Sequence, residues 1–455
     1  LIVRDPLQAY LGSDVDMHRA NEVRPVLKRL SLMAERTQCA VILIGHMNKA
    51  QGLKSGYRGL GSIDFRASAR SVLIVGRLKS SDALRIVAQD KNSLAPEGAA
   101  IAFELHPEHG FQWKGFCDAT VDNILNGTGQ VQTKTMQMED ELASINAVIG
   151  ASWGGARAMT ATSGPGYSLM IEGIGYAAET ETPLVVVNVM RGGPATGQPT
   201  CTSQDAIMQT RYGGHGDYEI IALTPSSVQE AFDFTVRAFN LAEKYRVPVF
   251  VLSDETVGHT REKLVIPETV EIFDDKYEGK CDAIYRPDEN GIPARVRFFE
   301  GQHVLVDGQL HDERGIRAGT DPAVCSAAIH HYCDKILRNI DDITSVEEFF
   351  LEDAETVLVA YGSVSRSALS AVRRARGEGR KVGMLKLNTV WPVPEKQIRA
   401  ACEKAKRVIV PEMNVGEYKR EVQRIAGYDK VEGFNSIGGA FPAPKAIYEK
   451  IVEVK

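Results

Sequence analysis

Three short stretches of this sequence carry side chains whose types and spacing could do chemistry. The first is Glu139-Asp140-Glu141, three carboxylates in a row where an apolar helical pattern begins. Ionised, a carboxylate there interacts favourably with the positive end of a helix. Buried among apolar side chains, it has a raised pKa and can hold or pass a proton near neutral pH. Spacing alone leaves both uses open. The second is Thr162-Ser163-Gly164-Pro165-Gly166, a turn with two hydroxyls that opens onto a helical pattern. Hydroxyls and free backbone amides at a helix start suit an anion. The third is Arg191-Gly192-Gly193, which ends an apolar, β-forming run over 184–190. A guanidinium fork pairs with a carboxylate through two charge-assisted hydrogen bonds, each worth ~1.5–3 kcal/mol. The glycines after it let backbone come close. His215, in a Gly-Gly-His-Gly-Asp run, adds a polar group, though a lone histidine is more often structural than catalytic.

These stretches need elements to hold them. Residues 137–204 read as helix, strand, turn, helix, strand, with the polar and glycine-rich residues at the carboxyl ends of the strands. Open parallel sheets bind ligands at that end. A strand at 219–223, a helix opened by Ser226 with Glu230 in its first turn, and a strand at 247–254 extend the pattern. Residues 263–344 are rich in Pro and Asp and read as an irregular connection that contains the run His-Asp-Glu-Arg-Gly, 311–315. Three βα units follow, with strands at 356–363, 381–389 and 407–414, which suits a small doubly wound domain.

A chain of 455 residues is long enough for two to four domains, each with its own core. Its net charge of −6 argues against a general nucleic-acid coat. The charge is uneven. Residues 1–127 hold 16 Lys and Arg against 13 Asp and Glu, while the remainder holds 37 against 46. The seven cysteines never form a Cys-x-x-Cys pair, and an iron–sulfur cluster needs several closely spaced thiolates. No cluster and no disulfide framework is expected in this chain. No apolar run is long enough to span a membrane, so the expected location is cytoplasmic. Residue 1 is Leu and stands inside a strand-like run, so the sequence reads as lacking its start.

Residues 1–126 follow a different plan. A strand ends in Asp5, and a helical pattern over 21–36 puts Val23, Leu27, Leu30 and Met33 on one face. A buried-strand pattern over 39–45 precedes His46, Asn48 and Lys49. A glycine-rich loop, a short helix and three strands come next. The order β-α-β-α-β-β-β suits an α/β sheet with an antiparallel edge. The strings LIVRDPLQAYLG, VILIGHMNK, YRGLGSIDFRASARSVL and KNSLAPEG resemble the carboxyl-terminal half of a RecA-like ATPase of replicative helicases. The resemblance implies a water-mediated magnesium contact for Asp5 and a phosphate sensor at His46 or Asn48. It also implies phosphate contacts for Arg70 and Lys91. A nucleotidase of this class needs a glycine-rich loop with Lys-Ser/Thr to cradle the phosphates, and the sequence has none. ATP turnover is therefore not expected.

Residues 120–135 are polar and turn-rich and read as a linker. Beyond it the strings QMEDE, TATSGPGYSLM, VNVMRGGPATGQPT, GGHGDYEIIALTPSSVQEAFD and HDERG resemble the alpha subunit of 2-oxoglutarate:ferredoxin oxidoreductases, in the thiamine-diphosphate-dependent 2-oxoacid oxidoreductase family. The resemblance begins near Gly129. The strand, helix and turn that open such subunits find no counterpart before Gln137, so the segment reads as truncated.

The resemblance implies much of the chemistry. Glu139 takes the place of the carboxylate that shares a proton with the cofactor's aminopyrimidine ring, with Thr162, Ser163 and Gly164 beside the cofactor. Arg191, with Gly192 and Gly193, takes the substrate carboxylate. It implies thiamine diphosphate shared with a beta subunit, and magnesium and an iron–sulfur cluster on that partner. No metal is expected on this chain. Coenzyme A, ferredoxin and a 2-oxoacid are the implied co-substrates. Glu417 stands where a glutamine is common. The expected architecture is a multi-domain α/β chain. A partial RecA-like module spans 1–126 and a pyrimidine-type thiamine-diphosphate domain 127–262. A connection spans 263–345 and a transketolase C-terminal-like, doubly wound domain 346–455. The competing readings are a RecA-like ATPase or DNA-associated module, and an inactive chimeric fusion of two fragments.

Overall fold

The computed structural model describes residues 2–4, 20–37, 39–44, 68–77, 84–93, 98–106, 109–117, 119, 135–273, 281–298 and 300–453. It divides into two compact units, Leu1–Met136 and Gln137–Lys455.

In the first unit, strand β1 (Ile2–Arg4) pairs in parallel with β2 (Val41–Leu43), in the register Ile2↔Val41. Helix α1 (Ala20–Thr37) connects them and buries Val23 and Leu27, four residues apart on one face. Strands β3 (Ser71–Arg77), β4 (Leu84–Asn92), β5 (Ala100–His106) and β6 (Gly110–Cys117) form a separate antiparallel sheet in that order. Its core side carries Ile86, Ala88, Ala100 and Ala102, at the two-residue period of a strand. The expectation of one α/β sheet with an antiparallel edge is corrected here. Among the described residues, β3 to β6 pair only with one another. The overlooked strand β6 completes the set, and its Phe111 and Trp113 alternate with Gln112 and Lys114.

Among the described residues, the second unit holds two sheets. Helix α2 (Glu141–Trp153), β7 (Met159–Thr162), α3 (Pro165–Glu179) and β8 (Leu184–Gly192) lead into β9 (Gln198–Thr202) and α4 (Ile207–Tyr212). Then come β10 (Ile221–Leu223), α5 (Val228–Tyr245), β11 (Pro248–Asp254) and α6 (Glu255–His259). Strands β10, β11, β8 and β7 are parallel neighbours, with β9 antiparallel on β8. Helices cover such a sheet on both faces, so its strands are apolar throughout rather than alternating. Every residue of β11 is buried. Phe250 on it is fully buried, a burial worth ~1.5–3 kcal/mol.

Helix α7 (Pro322–Leu337) and α8 (Ile340–Ile343) precede the second sheet. That sheet runs β12 (Val346–Phe349), β14 (Val382–Leu387), β13 (Thr356–Tyr361), β16 (Arg407–Glu412), β17 (Val431–Asn435). Only β12 is antiparallel to its neighbour. Helices α9 (Val364–Gly377), α10 (Glu395–Cys402), α11 (Lys419–Ala426) and α12 (Pro444–Val452) complete this lobe. The short strand β15 (Thr389–Trp391) leaves it and closes the edge of the first sheet, pairing Trp391 with Ala222 and Thr389 with Leu223. The indole Nε1 of Trp391 donates to the carbonyl of Ile207 at 2.9 Å. The two lobes thus share a sheet edge.

Two local readings change. The irregular connection over 263–345 contains the four-turn helix α7, capped by Asp321 and anchored by buried Lys335 and Ile336. Ser227, not Ser226, caps α5. Its Oγ accepts from the amide of Glu230, whose carboxylate accepts in turn from the amide and hydroxyl of Ser226. This is a capping box displaced by one residue.

Candidate active site at the carboxyl ends of β7 and β8

Asp140 settles how the carboxylate cluster is arranged. Its side chain accepts from the amide of Ala143 at 2.7 Å, which makes it the N-cap of α2. A cap of this kind contributes about 1 kcal/mol. The cap residue divides its neighbours. Glu139 lies before the helix and is exposed; Glu141 is the first helical residue and is half-buried. The carboxylate of Glu141 turns inward onto α3. A Cβ placed on Gly166 would meet Glu141 Oε1 at 2.6 Å and Thr162 Oγ1 at 2.4 Å. Only glycine leaves room there, and the carboxylate and hydroxyl converge over the first turn of α3.

The turn between β7 and α3 is built around Gly164, with φ of +57°, a region glycine enters without strain. Ser163 Oγ donates to the carbonyl of Val189 at 2.7 Å, which ties the turn to β8. Arg191 projects from the end of β8 and lies against Gly164. A Cβ on that glycine would stand 2.4 Å from Arg191 Nε and 2.9 Å from Nη2. The Nη1 of Arg191 reaches the carbonyl of Pro199 at 3.4 Å, while its Nε is buried without a partner among the described residues. The amide of Gly193 donates to Asp205 Oδ2 at 2.8 Å, which fixes the Gly-Gly turn before the cis bond to Pro194.

Arg191 and Gly164 form one wall of a cleft of about 590 Å³. The opposite wall comes from the second lobe, through Asn414 and Glu417. Gln204 holds the two walls together. It donates to the carbonyl of Tyr361 at 3.0 Å and accepts from the amide of Met413 at 3.0 Å. Its own carbonyl accepts from Asn414 Nδ2 at 2.9 Å. Buried Glu412 accepts from the amides of Tyr418 and Lys419, and so fixes the far end of the Asn414–Glu417 loop.

The residues expected from sequence therefore divide. Thr162, Gly164, Arg191, Gly192 and Gly193 gather at one end of the sheet. The Ser163 hydroxyl is spent on β8, and Glu139 points to solvent. His215 is exposed and stands outside the cleft lining. Asp5, His46 and Asn48 lie outside the described residues. Arg70 is exposed just before β3, and its carbonyl accepts from Ser93 at 2.8 Å. Lys91 lies in β4 opposite Val72. Glu141, Asp205, Asn414 and Glu417 are additions. A signal for Glu141 was present, since aspartate is a strong N-cap residue and Asp140 in that position puts Glu141 inside the helix. Asp205 follows Gly193 by 12 residues without a pattern that marks it, and Asn414 and Glu417 come from a distant part of the chain.

Residues 119–327 match the model of the pyruvate flavodoxin/ferredoxin oxidoreductase, thiamine diP-binding family. Residues 354–447 match pyruvate:ferredoxin oxidoreductase core domain II. The chain is 51% identical over 323 residues to 2-oxoglutarate synthase subunit KorA of Methanothermobacter thermautotrophicus, covering 70% of this chain and 86% of that protein. The chain belongs to the 2-oxoacid:ferredoxin oxidoreductase family. The KorA subunit of Methanocaldococcus jannaschii is 49% identical over 320 residues, covering 70% of this chain and 86% of the relative. Ketoisovalerate oxidoreductase subunit VorB of Methanothermobacter thermautotrophicus is 38% identical, covering 71% and 86%. Among solved structures, 2-oxoglutarate:ferredoxin oxidoreductase from Magnetococcus marinus, with 2-oxoglutarate, coenzyme A and succinyl-CoA bound, superposes with a TM-score of 0.65 at 32% identity. That alignment covers 73% of this chain, which spans 58% of the length of the other. Residues 1–52 match an AAA domain model outside the oxidoreductase region. Among the described residues, no helix is long and apolar enough to cross a membrane. No group of three or more His, Cys, Asp or Glu there could hold a metal ion.

Proposed function

We propose that residues 137–455 act as the alpha subunit of a 2-oxoacid:ferredoxin oxidoreductase whose substrate is 2-oxoglutarate. The overall reaction converts 2-oxoglutarate and coenzyme A to succinyl-CoA and CO2, with two electrons passing to ferredoxin. The carrying observation is the placement of Arg191 against Gly164, with the Glu141 carboxylate held on the next turn of the same helix start.

The residues fit one end of thiamine diphosphate. Glu141 supplies a carboxylate and Thr162 a hydroxyl, a donor set matched to the nitrogens of an aminopyrimidine ring. We therefore assign the ring contact to Glu141 in place of the exposed Glu139. Magnesium and the diphosphate need several oxygen ligands around one ion, and we assign them, with the iron–sulfur cluster, to a second subunit. Bound there, the cofactor supplies the nucleophilic carbon and the electron sink for decarboxylation.

This chain does the rest by position. Glu141 holds a proton at the ring nitrogen and returns it. Arg191 carries an unpartnered Nε–H on the cleft wall, and its fork orients the substrate's C1 carboxylate. Once that carboxylate leaves as CO2, the arginine loses its charge partner, and the hold on the C1 end of the substrate is released. The Asn414–Glu417 loop closes the cleft on the side away from the turn and limits entry of water.

The test is ferredoxin reduction by this chain assembled with a beta subunit. Arg191→Gln should raise KM for 2-oxoglutarate by ~10–100-fold, the equivalent of one lost charge-assisted pair. An unchanged KM would remove Arg191 from the substrate site.

A further inference from the structure

The cleft contains more unsatisfied polarity than Arg191 accounts for. Four buried polar atoms on its lining lack a hydrogen-bond partner among the described residues. They are Arg191 Nε, Asn188 Oδ1, Thr202 Oγ1 and Glu417 Oε2. Buried polar atoms are nearly always paired, and an orphaned one on a cleft wall leaves a bonding position open to water or to a ligand. Three of the four sit on the first lobe, near the end of β8. Glu417 alone comes from the second lobe, and its backbone is held rigidly. Its amide donates to Asn414 Oδ1 at 3.0 Å, and the next two amides are fixed on Glu412.

We infer that Glu417 is a specificity-determining residue: it donates a hydrogen bond to a second carboxylate on the 2-oxoacid whose first carboxylate is held by Arg191. The inference rests on the 2-oxoglutarate reading above and deepens it by naming the residue that meets the distal carboxylate.

A carboxyl can donate only when neutral; ionised, it accepts only and repels an anion. The surroundings favour the neutral form. Burial is the main influence and pushes Glu417 up to about 7. The carboxylates of Glu412, at the end of β16, and Asp205, before α4, act in the same direction. A hydrogen bond from the Met208 backbone and the charge of Arg420 on α11 act against them. The donor is therefore present below about pH 7 and is lost as pH rises through it. The site would hold a dicarboxylate tightly on the acid side and progressively less tightly above. A monocarboxylic 2-oxoacid has no second anionic group for Glu417 and would not feel the change.

The experiment is the pH profile of KM for the enzyme assembled with its beta subunit, run with 2-oxoglutarate and with a monocarboxylic 2-oxoacid. KM for 2-oxoglutarate should rise by about tenfold per pH unit above the transition, while KM for the monocarboxylate stays flat. In Glu417→Gln the amide donates at every pH, so the dicarboxylate profile should flatten near the wild-type acid-side value. A variant that keeps the wild-type profile overturns the inference. So does a wild-type profile equally steep for both substrates. If no 2-oxoacid is turned over, the functional reading fails on its own account. Calorimetric titration of the same complex with 2-oxoglutarate at about pH 6 and about pH 8 then decides Glu417. Weaker binding on the alkaline side supports it, and equal binding or none overturns it.

Discussion

The guanidinium of Arg191 lies directly against the Cα of Gly164, so closely that a methyl group on the glycine would stand 2.4 Å from Nε. A strand end and a helix start are brought together there by a missing side chain. The arginine is held at the mouth of the turn, with its Nε buried and its Nη1 on the carbonyl of Pro199. That contact makes the glycine as much a part of the proposed substrate site as the arginine.

Gly164→Ala should therefore damage binding more than folding. The alanine meets two costs, the displaced guanidinium and a left-handed backbone at φ of +57°. The backbone cost alone is ~1–3 kcal/mol. Steady-state kinetics on the assembled enzyme should show KM for the 2-oxoacid raised by ~10-fold or more. Urea unfolding should show a stability loss near the backbone figure. A large stability loss with unchanged KM would mean that Arg191 does not depend on this contact.

How much of this was legible beforehand depends on how local each cause is. The parallel core strands β8 and β11 announce themselves as continuous apolar runs, and the turn after β7 as Ser-Gly-Pro-Gly. The site's position at the strand ends follows from these. The choice among Glu139, Asp140 and Glu141 turned on one capping bond, Ala143 N to Asp140, which sets which carboxylate enters the helix. The opposite wall was not legible. Asn414 and Glu417 reach the cleft through Gln204, more than 200 residues earlier, and through β15 crossing to the other sheet. Helix α7 was missed because its buried face includes a lysine, which is apolar in effect only because Glu181 neutralises it.

That pair gives the second prediction. Lys335 Nζ stands 2.5 Å from Glu181 Oε2 and donates also to the carbonyl of Arg246 at 2.9 Å, and both side chains are buried. Lys335→Met leaves Glu181 in the interior with His331, at 3.0 Å, and the nearby charge of Arg246 to offset it. Removing one partner of a buried pair costs ~3–5 kcal/mol. Chemical denaturation should show a loss of that size, much of it recovered when Glu181→Gln is added. A loss under ~1 kcal/mol would indicate that the pair is solvated.

Glu179 supplies a dependence on pH. Both of its carboxylate oxygens are buried without hydrogen bonds from the described residues, and His311 Nε2 stands 3.4 Å away. Burial, then the charges of Asp307 and Glu181, push its pKa up to about 8. The folded value lies above the unfolded one, ~4.3. Below the unfolded value both states are protonated and the group costs nothing. As pH rises from there towards the folded value, only the unfolded state ionises, and stability falls. Glu179→Gln should match the wild type in thermal midpoint at about pH 4 and exceed it at about pH 8. Parallel midpoint curves for the two proteins would show that Glu179 ionises freely in the fold.

The central claim is that Glu141, the first residue of α2, is the carboxylate that works on the cofactor ring. The direct measurement is kcat for 2-oxoglutarate- and coenzyme A-dependent ferredoxin reduction by this chain assembled with a beta subunit, comparing Glu141→Gln with Glu139→Gln. Loss of acid–base help should lower kcat by ~10²–10⁴-fold in Glu141→Gln. The exposed Glu139→Gln should stay within about twofold of the wild type. Comparable losses in both variants, or a loss confined to Glu139→Gln, would contradict the account.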